Sequence, residues 1–272
     1  MNKYYLMALL LVVSISGCQL SRGYPECKEY DALSNEVVML YNRGNYDQAI
    51  ELAEKQLDMA MEKLGPDDPR LAKTLNNLSV LYQKKGWKTK AETARIKSLE
   101  IIQKVFGPDN PLVGEGLCDL ADLYREEKRY KEAEQLLQKS LIILQRGYGS
   151  DHPSVAVCYN NIGLLYADQG DYSQAEVYLK RSILMKERIY GPDNNEVAVS
   201  LNNLAFIFFN QGKYGQAESL QKRSIAIDEK ALGPKHPQTV NHIRSLAVIY
   251  KKAGKEKEAE DCWKTVSERE VK

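Results

Sequence analysis

The chain has 272 residues, of which 43% are hydrophobic and 28% charged, the composition of an ordinary folded globular protein. Lysine and arginine number 38 against 37 aspartates and glutamates, a formal net charge of +1. That balance disfavours nucleic-acid binding by bulk electrostatics, which needs a basic excess on one face.

Residues 1–17 stand apart from the rest. Lys3 supplies a short basic start, Tyr4 to Val13 an uncharged apolar stretch, and Ile15, Ser16 and Gly17 a run ahead of Cys18. The apolar stretch is too short to span a bilayer stably. Ile15-Ser16-Gly17-Cys18 resembles the lipobox of bacterial lipoproteins, in which the cysteine is lipidated and becomes the mature N-terminus. The resemblance implies that Cys18 carries acyl chains that tether the protein to a membrane. The plain alternative is a secretory leader with a chance cysteine. Gln19, and not Asp, follows the cysteine. In a Gram-negative cell envelope this implies the periplasmic face of the outer membrane. Residues 18–30 read as the lipidated cysteine and a tether with Gly23 and Pro25, and loss of Lys3 with the leader brings the net charge to zero.

From residue 31 the chain is periodic. A five-residue phrase returns every 42 residues, as GPDDP at 65–69, GPDNP at 107–111, GSDHP at 149–153, GPDNN at 191–195 and GPKHP at 233–237. Its glycine suits the left-handed position past a helix end. The prolines forbid continuation, and the residue before the second proline can cap the next helix. A second mark has the same period: Gly44, Gly86, Lys128, Gly170, Gly212 and Gly254, each followed five residues later by an alanine from Ala49 to Ala259. Two turns per unit make two helices per unit, six pairs in all over 31–64, 70–106, 112–148, 154–190, 196–232 and 238–272. Leu75, Leu78, Ser79 and Tyr82 fall on one helix face, and the stripe returns as Leu117/Leu120/Ala121/Tyr124, Tyr159/Ile162/Gly163/Tyr166, Leu201/Leu204/Ala205/Phe208 and Ile243/Leu246/Ala247/Tyr250. The small residue marks close helix approach, and the recurring alanine twelve positions later marks the matching contact on the second helix.

The order bulky, Leu, Gly/Ala, Tyr in one helix, then Gly-x-Tyr at Gly44, Gly170 and Gly212 and a fixed alanine in the next, resembles the tetratricopeptide repeat. The 42-residue spacing and the runs LNNLSVLY at 75–82 and LNNLAFIF at 201–208 are similar to the variant of kinesin light chains and many bacterial repeat proteins. The resemblance implies an all-α fold, a right-handed superhelical solenoid of antiparallel helix pairs, with a concave surface for a protein or peptide partner. The first unit departs from the pattern, with Ser34, Asn35 and Glu36 where the Asn-Asn-Leu run stands, and the last helix is heavily charged around Trp263. Both fit capping units.

In the family resembled, first helices line the inner face, so residues beside their core stripe form the groove. Three units carry asparagine pairs there: Asn76/Asn77, Asn160/Asn161 and Asn202/Asn203. Asparagine costs roughly 0.5–0.7 kcal/mol against alanine inside a helix, so its return calls for compensation. Either the carboxamides hydrogen-bond the backbone of a bound peptide, or one of each pair bonds the adjacent helix and stacks the units. The variable positions are polar in the third unit (Glu115, Asp119, Asp122, Arg125) and apolar in the fourth and fifth (Val157, Leu164, Ala167, Val199, Phe206, Phe209). Phe206 and Phe209 read as aromatic anchors for a partner, unless neighbouring units cover them. Arg125, Arg244 and Lys251 read as polar contacts beside them.

Four further cysteines, Cys27, Cys118, Cys158 and Cys262, lack metal-site spacing and read as small packed residues, with a Cys118–Cys158 bridge as a minor alternative. There is no Gly-rich phosphate loop, zinc motif or nucleophile set, so neither a cofactor, a metal nor an enzymatic activity is expected. His152 and His236 belong to the linker phrase. The pairs Glu92/Arg95 and Glu176/Lys180 on second helices read as solvated faces. The expectation is therefore a membrane-anchored interaction scaffold. The alternatives are an assembly factor for an envelope machine such as a pilus or secretion system and, last, an enzyme or carbohydrate binder around Glu115, Asp119 and Asp122.

Overall fold

The computed structural model describes residues 28–270, so the leader, Cys18, the tether and Cys27 lie outside the described residues. Among the described residues every regular element is an α-helix. They are α1 (Lys28–Asn42), α2 (Tyr46–Leu64), α3 (Pro69–Lys85), α4 (Lys88–Phe106), α5 (Pro111–Glu126), α6 (Tyr130–Tyr148), α7 (Pro153–Asp168), α8 (Tyr172–Tyr190), α9 (Asn195–Asn210), α10 (Tyr214–Ala231), α11 (Pro237–Lys252) and α12 (Glu256–Glu270). They fall into two compact units, residues 28–127 with 138–143, and residues 128–137 with 144–270. In each unit every helix packs against the one that follows it in the chain, so the contacts are local and the core is built pair by pair.

The recurring phrases do the work of helix boundaries. At 107 the glycine takes φ +88°, open only to a residue without Cβ, and ends α4. The residue before the following helix then caps it. Asp68, Asn110 and Asn194 each accept the N–H two residues on through a side-chain oxygen at 2.9–3.0 Å. His152 and His236 do the same through Nδ1 at 3.2 Å, which requires the neutral ring. The turn inside each pair uses the left-handed conformation again, and at Lys128 (φ +63°) a side chain bears the strain that glycine avoids elsewhere.

Two ladders missed by the sequence reading tie the helices together. Ser98, Ser140, Ser182 and Ser224 recur at the 42-residue period and are buried on the second helices. Each hydroxyl donates to the carbonyl 26 residues earlier, Ala72, Gly114, Ala156 and Ala198, at 2.6–2.9 Å. Gln56 takes the serine's place in the first pair and donates to the Tyr30 carbonyl, again 26 residues back. On the surface, linker aspartates pair with a cation 37 residues later: Asp67 with Lys104, Asp151 with Arg188 and Asp193 with Lys230. These exposed pairs are screened by solvent and add little to stability.

The stripe positions are core. Leu78, Ser79, Leu201, Ala205, Ala247 and the alanines five residues past each turn are almost fully buried. Ser79 donates to the Ala91 carbonyl at 2.8 Å, twelve residues on, at the closest approach of α3 and α4. At Gly163 an added Cβ would lie 2.8 Å from Leu179 Cγ, so α7 and α8 approach there without room for a methyl.

Candidate functional site

In the first unit the half-buried margin of α3 and α5 is polar. Glu115, Asp119, Asp122 and Glu126 fall at i, i+4, i+7 and i+11 and form one carboxylate stripe down α5. Asn76 donates to Asp119 (3.4 Å) and Gln83 to Glu126 (3.3 Å), so α3 and α5 are bridged by partners 43 residues apart. Arg125, nearly buried, turns back on its own helix and donates through Nε and Nη2 to Asp122. Burial, with Asp122 adding repulsion, pushes the Glu126 carboxyl up to about 7.

Arg95 is the unexpected member. It lies on α4, where the equivalent residues of the next two second helices are Leu137 and Leu179, and only 5% of it is exposed. Its guanidinium donates to Asn76 Oδ1 and, at 2.9 Å, to Asp119 Oδ2, while Nε has no hydrogen-bond partner. It borders a cavity of about 30 Å³ with Asn76, Ser98, Glu115, Gly116 and Asp119, room for about one water-sized polar group. The expectation of a solvated Glu92/Arg95 face is thereby corrected. An i,i+3 spacing is blind to the next first helix, and α5 covers Arg95 and supplies its partner. Glu176 and Lys180 do form an exposed pair at 2.6 Å.

The asparagines that make hydrogen bonds make them within the fold, in the stacking role of the two weighed for them. Asn203 donates to Asn160 Oδ1 at 3.0 Å, the same 43-residue relation as Asn76 to Asp119, so these residues stack consecutive first helices. Asn160 is accordingly 91% buried, and Asn161 faces it at 3.5 Å. Asn202 accepts from the buried Gln221. Asn77 is half-buried and makes no side-chain hydrogen bond among the described residues.

In the second unit the corresponding margin is apolar. Phe206 and Phe209 are half-buried and pack against the core around Leu201, Leu204 and Phe208, with Phe209 also 5.8 Å from the Tyr214 ring. Leu164, Val157 and Val199 are half-buried too. Each phenylalanine thus rests on the core and leaves part of its ring outward. Arg244 is engaged by Asn241 and Glu270, whereas Lys251 is exposed and makes no side-chain hydrogen bond or ion pair among the described residues.

The structure also assembles a serine, a histidine and an aspartate that lie apart in the sequence. His242 Nδ1 sits 2.7 Å from Asp228 Oδ2 and 2.8 Å from Ser224 Oγ, and all three residues are buried. The Ser224 proton goes to the Ala198 carbonyl (2.9 Å), so Nδ1 carries the ring proton and donates it to Ser224 Oγ, while Asp228 Oδ2 lies close to Nδ1 without accepting a hydrogen bond. Both neighbours lie at one nitrogen, and the serine keeps its proton off the imidazole, so the set holds no activated nucleophile. Gln238 completes it by donating to Asp228 at 3.0 Å. One repeat earlier, Lys186 and Glu196 fill the positions of Asp228 and Gln238 as a pair at 3.0 Å, the lysine buried and the glutamate half-buried. Cys118 and Cys158 are buried and form no disulfide, with Cys118 Sγ beside Ser140 Oγ and Cys158 Sγ beside the Leu137 carbonyl, which corrects the bridge weighed between them. Among the described residues no group of three His, Cys, Asp or Glu is placed to hold a metal, and no helix is long and apolar enough to cross a membrane.

A family model described as tetratricopeptide repeat matches residues 30–94, 89–141, 117–188, 178–230 and 196–268. Among solved structures, BtubC (BKLC) from P. vanneervenii is similar at 22% identity and a TM-score of 0.64, over 88% of this chain and 91% of that one. A putative kinesin light chain from Podosopora anserina is similar at 19% identity and a TM-score of 0.59, over 75% and 96%. The Rap protein complexed with competence and sporulation factor gives 17% identity and a TM-score of 0.72, over 96% and 71%. No protein of curated function matches the sequence closely enough to lend it an activity.

Proposed function

The chain belongs to the tetratricopeptide repeat family, an all-α scaffold for protein interactions, and we propose that it is held on a bacterial envelope membrane through Cys18 and binds a peptide or protein segment along its first-helix margins. The observation that carries this reading is Arg95. A buried cation with an unmet Nε stands where the next two second helices have leucine, beside a cavity sized for one polar group. Such a group costs the fold about 1–3 kcal/mol, and a backbone carbonyl from a bound segment offers the missing acceptor. The carboxylate stripe of α5 suits a segment with amide or basic groups. Phe206 and Phe209 supply apolar anchors in the second unit, and Asn77 and Lys251 free polar contacts. The role is that of a scaffold and not of an enzyme.

Photo-crosslinkers at Asp119 and Phe206 in intact envelopes test this. Capture of a defined partner at Asp119 or at Phe206, the latter lost on Phe206→Ala/Phe209→Ala, supports the reading, and absence of any defined partner at either position removes it. A captured pilus or secretion component would narrow the role to assembly of that machine. Acyl labelling that disappears with Cys18→Ala checks the anchor independently.

A further inference from the structure

We propose that the turn between α3 and α4 is a membrane-contact site, with Trp87 seated in the interface of an anionic bilayer and Lys84, Lys85, Lys88 and Lys90 against its headgroup phosphates. In the other pairs the residue after the left-handed turn position is Asn45, Arg129, Asp171, Lys213 or Lys255, and in four of these five a half-buried tyrosine follows it into the helix hairpin. Here the aromatic ring has moved one position back, to Trp87, and Lys88 stands where the tyrosine should be. Trp87 is 41% exposed and rests on Tyr82 with ring centroids 5.8 Å apart. Lys90 Nζ lies 4.9 Å from the Trp87 ring centroid and Lys85 Nζ 6.0 Å from it. Asp47 pairs with Lys85 at 2.7 Å, and Glu54 is engaged by the Tyr82 hydroxyl, so positive charge stays in excess around the ring.

A part-exposed tryptophan with two ammonium groups within about 6 Å of its ring, on a wide-open turn lined by Lys88 and Lys90, matches a lipid interface better than a bound peptide. Indole partitions to the headgroup level, and each nearby lysine adds attraction to anionic lipid. The reach of the chain also allows it. The Lys85–Asp47 pair holds this turn beside the one that ends α1, whose 15 residues put Lys28 about 22 Å away along its axis. Residues 19–27 extend to at most about 30 Å, so a lipid at Cys18 and this turn can meet one bilayer together. That last step rests on the proposed anchor; the patch itself does not.

The test uses the chain beginning at Gln19, which keeps all described helices and carries no acyl group, with Trp263→Phe so that Trp87 is the one reporter. Vesicles are of phosphatidylcholine alone, or mixed with phosphatidylglycerol at about seven parts to three. The expected result is at least roughly tenfold tighter, salt-sensitive binding to the mixed vesicles with a blue-shifted Trp87 emission. Trp87→Ala is expected to weaken it roughly tenfold, and the joint change of the four lysines to glutamine to abolish it, both with unchanged circular dichroism. Equal binding to both vesicles, binding indifferent to these changes, or lysine-dependent binding to polyglutamate without a blue shift on lipid overturns the proposal, the last in favour of an acidic protein partner. Acyl labelling at Cys18 is read separately, so loss of the anchor and loss of the patch are told apart.

Discussion

Arg95→Leu together with Asp119→Asn should make the protein more stable while it loses its partner. The second unit already contains the control: Asn160, Leu179 and Asn203 occupy the positions of Asn76, Arg95 and Asp119, with the leucine fully buried and the two asparagines bonded at 3.0 Å. Three contributions set the magnitude. The unmet Nε is relieved, worth about 1–3 kcal/mol. A buried leucine side chain adds about 1.5–3 kcal/mol. Against these stands a largely desolvated ion pair, whose replacement by a packed apolar residue is neutral or stabilising by roughly 1–4 kcal/mol in comparable cases. Allowing for imperfect repacking, a net gain of about 1–3 kcal/mol is expected, measured by urea unfolding followed at a helical band with unchanged m-value. Arg95→Leu alone should do worse than the pair, because Asp119 then faces Glu115 without its cation. A double variant less stable than the parent by about 1 kcal/mol or more would show that Arg95 is a keystone of the fold and refute its assignment as a binding group.

Three further outcomes follow from the geometry. Lys128→Gly relieves the one left-handed side chain among the described residues and should stabilise by about 1 kcal/mol, whereas Gly170→Lys at the equivalent turn should destabilise by a similar amount, both read by urea unfolding. Ser182→Ala removes one rung of the buried ladder and should cost about 1 kcal/mol, and Ser182→Val more, because no volume is spare beside α7. Glu126 keeps its proton to about pH 7 in the folded chain but ionises near its ordinary 4.5 when unfolded. Its contribution is therefore fully present below about pH 4.5 and lost as pH rises through 7, and Glu126→Gln should flatten the stability profile between those limits and raise stability at pH 8. A profile that Glu126→Gln leaves unchanged contradicts the burial argument.

The fold was legible because its determinants are local and repeated. A glycine that ends a helix, a proline that opens the next and a capping side chain two residues ahead of the N–H it accepts all act within six residues, and five copies in phase leave little freedom. The serine ladder was legible in principle as well, since Ser98, Ser140, Ser182 and Ser224 each follow a lysine or arginine at the same spacing. The asparagines were only half legible. Their recurrence marks a role, but whether the role faces a partner or the next helix depends on a contact 43 residues away.

Arg95 shows where local reading ends. By spacing it belongs to an exposed pair with Glu92, and only the packing of α5 over α4 buries it, aligns it with Asp119 and leaves its Nε unmet. His242, Asp228 and Ser224 meet for the same reason. By itself the sequence determined helix ends, phase and core stripe, because backbone conformation and burial pattern are set by neighbours along the chain. Tertiary structure decided which polar side chains are consumed inside and which remain for a partner, because desolvation and hydrogen-bond completion depend on what the next helix brings.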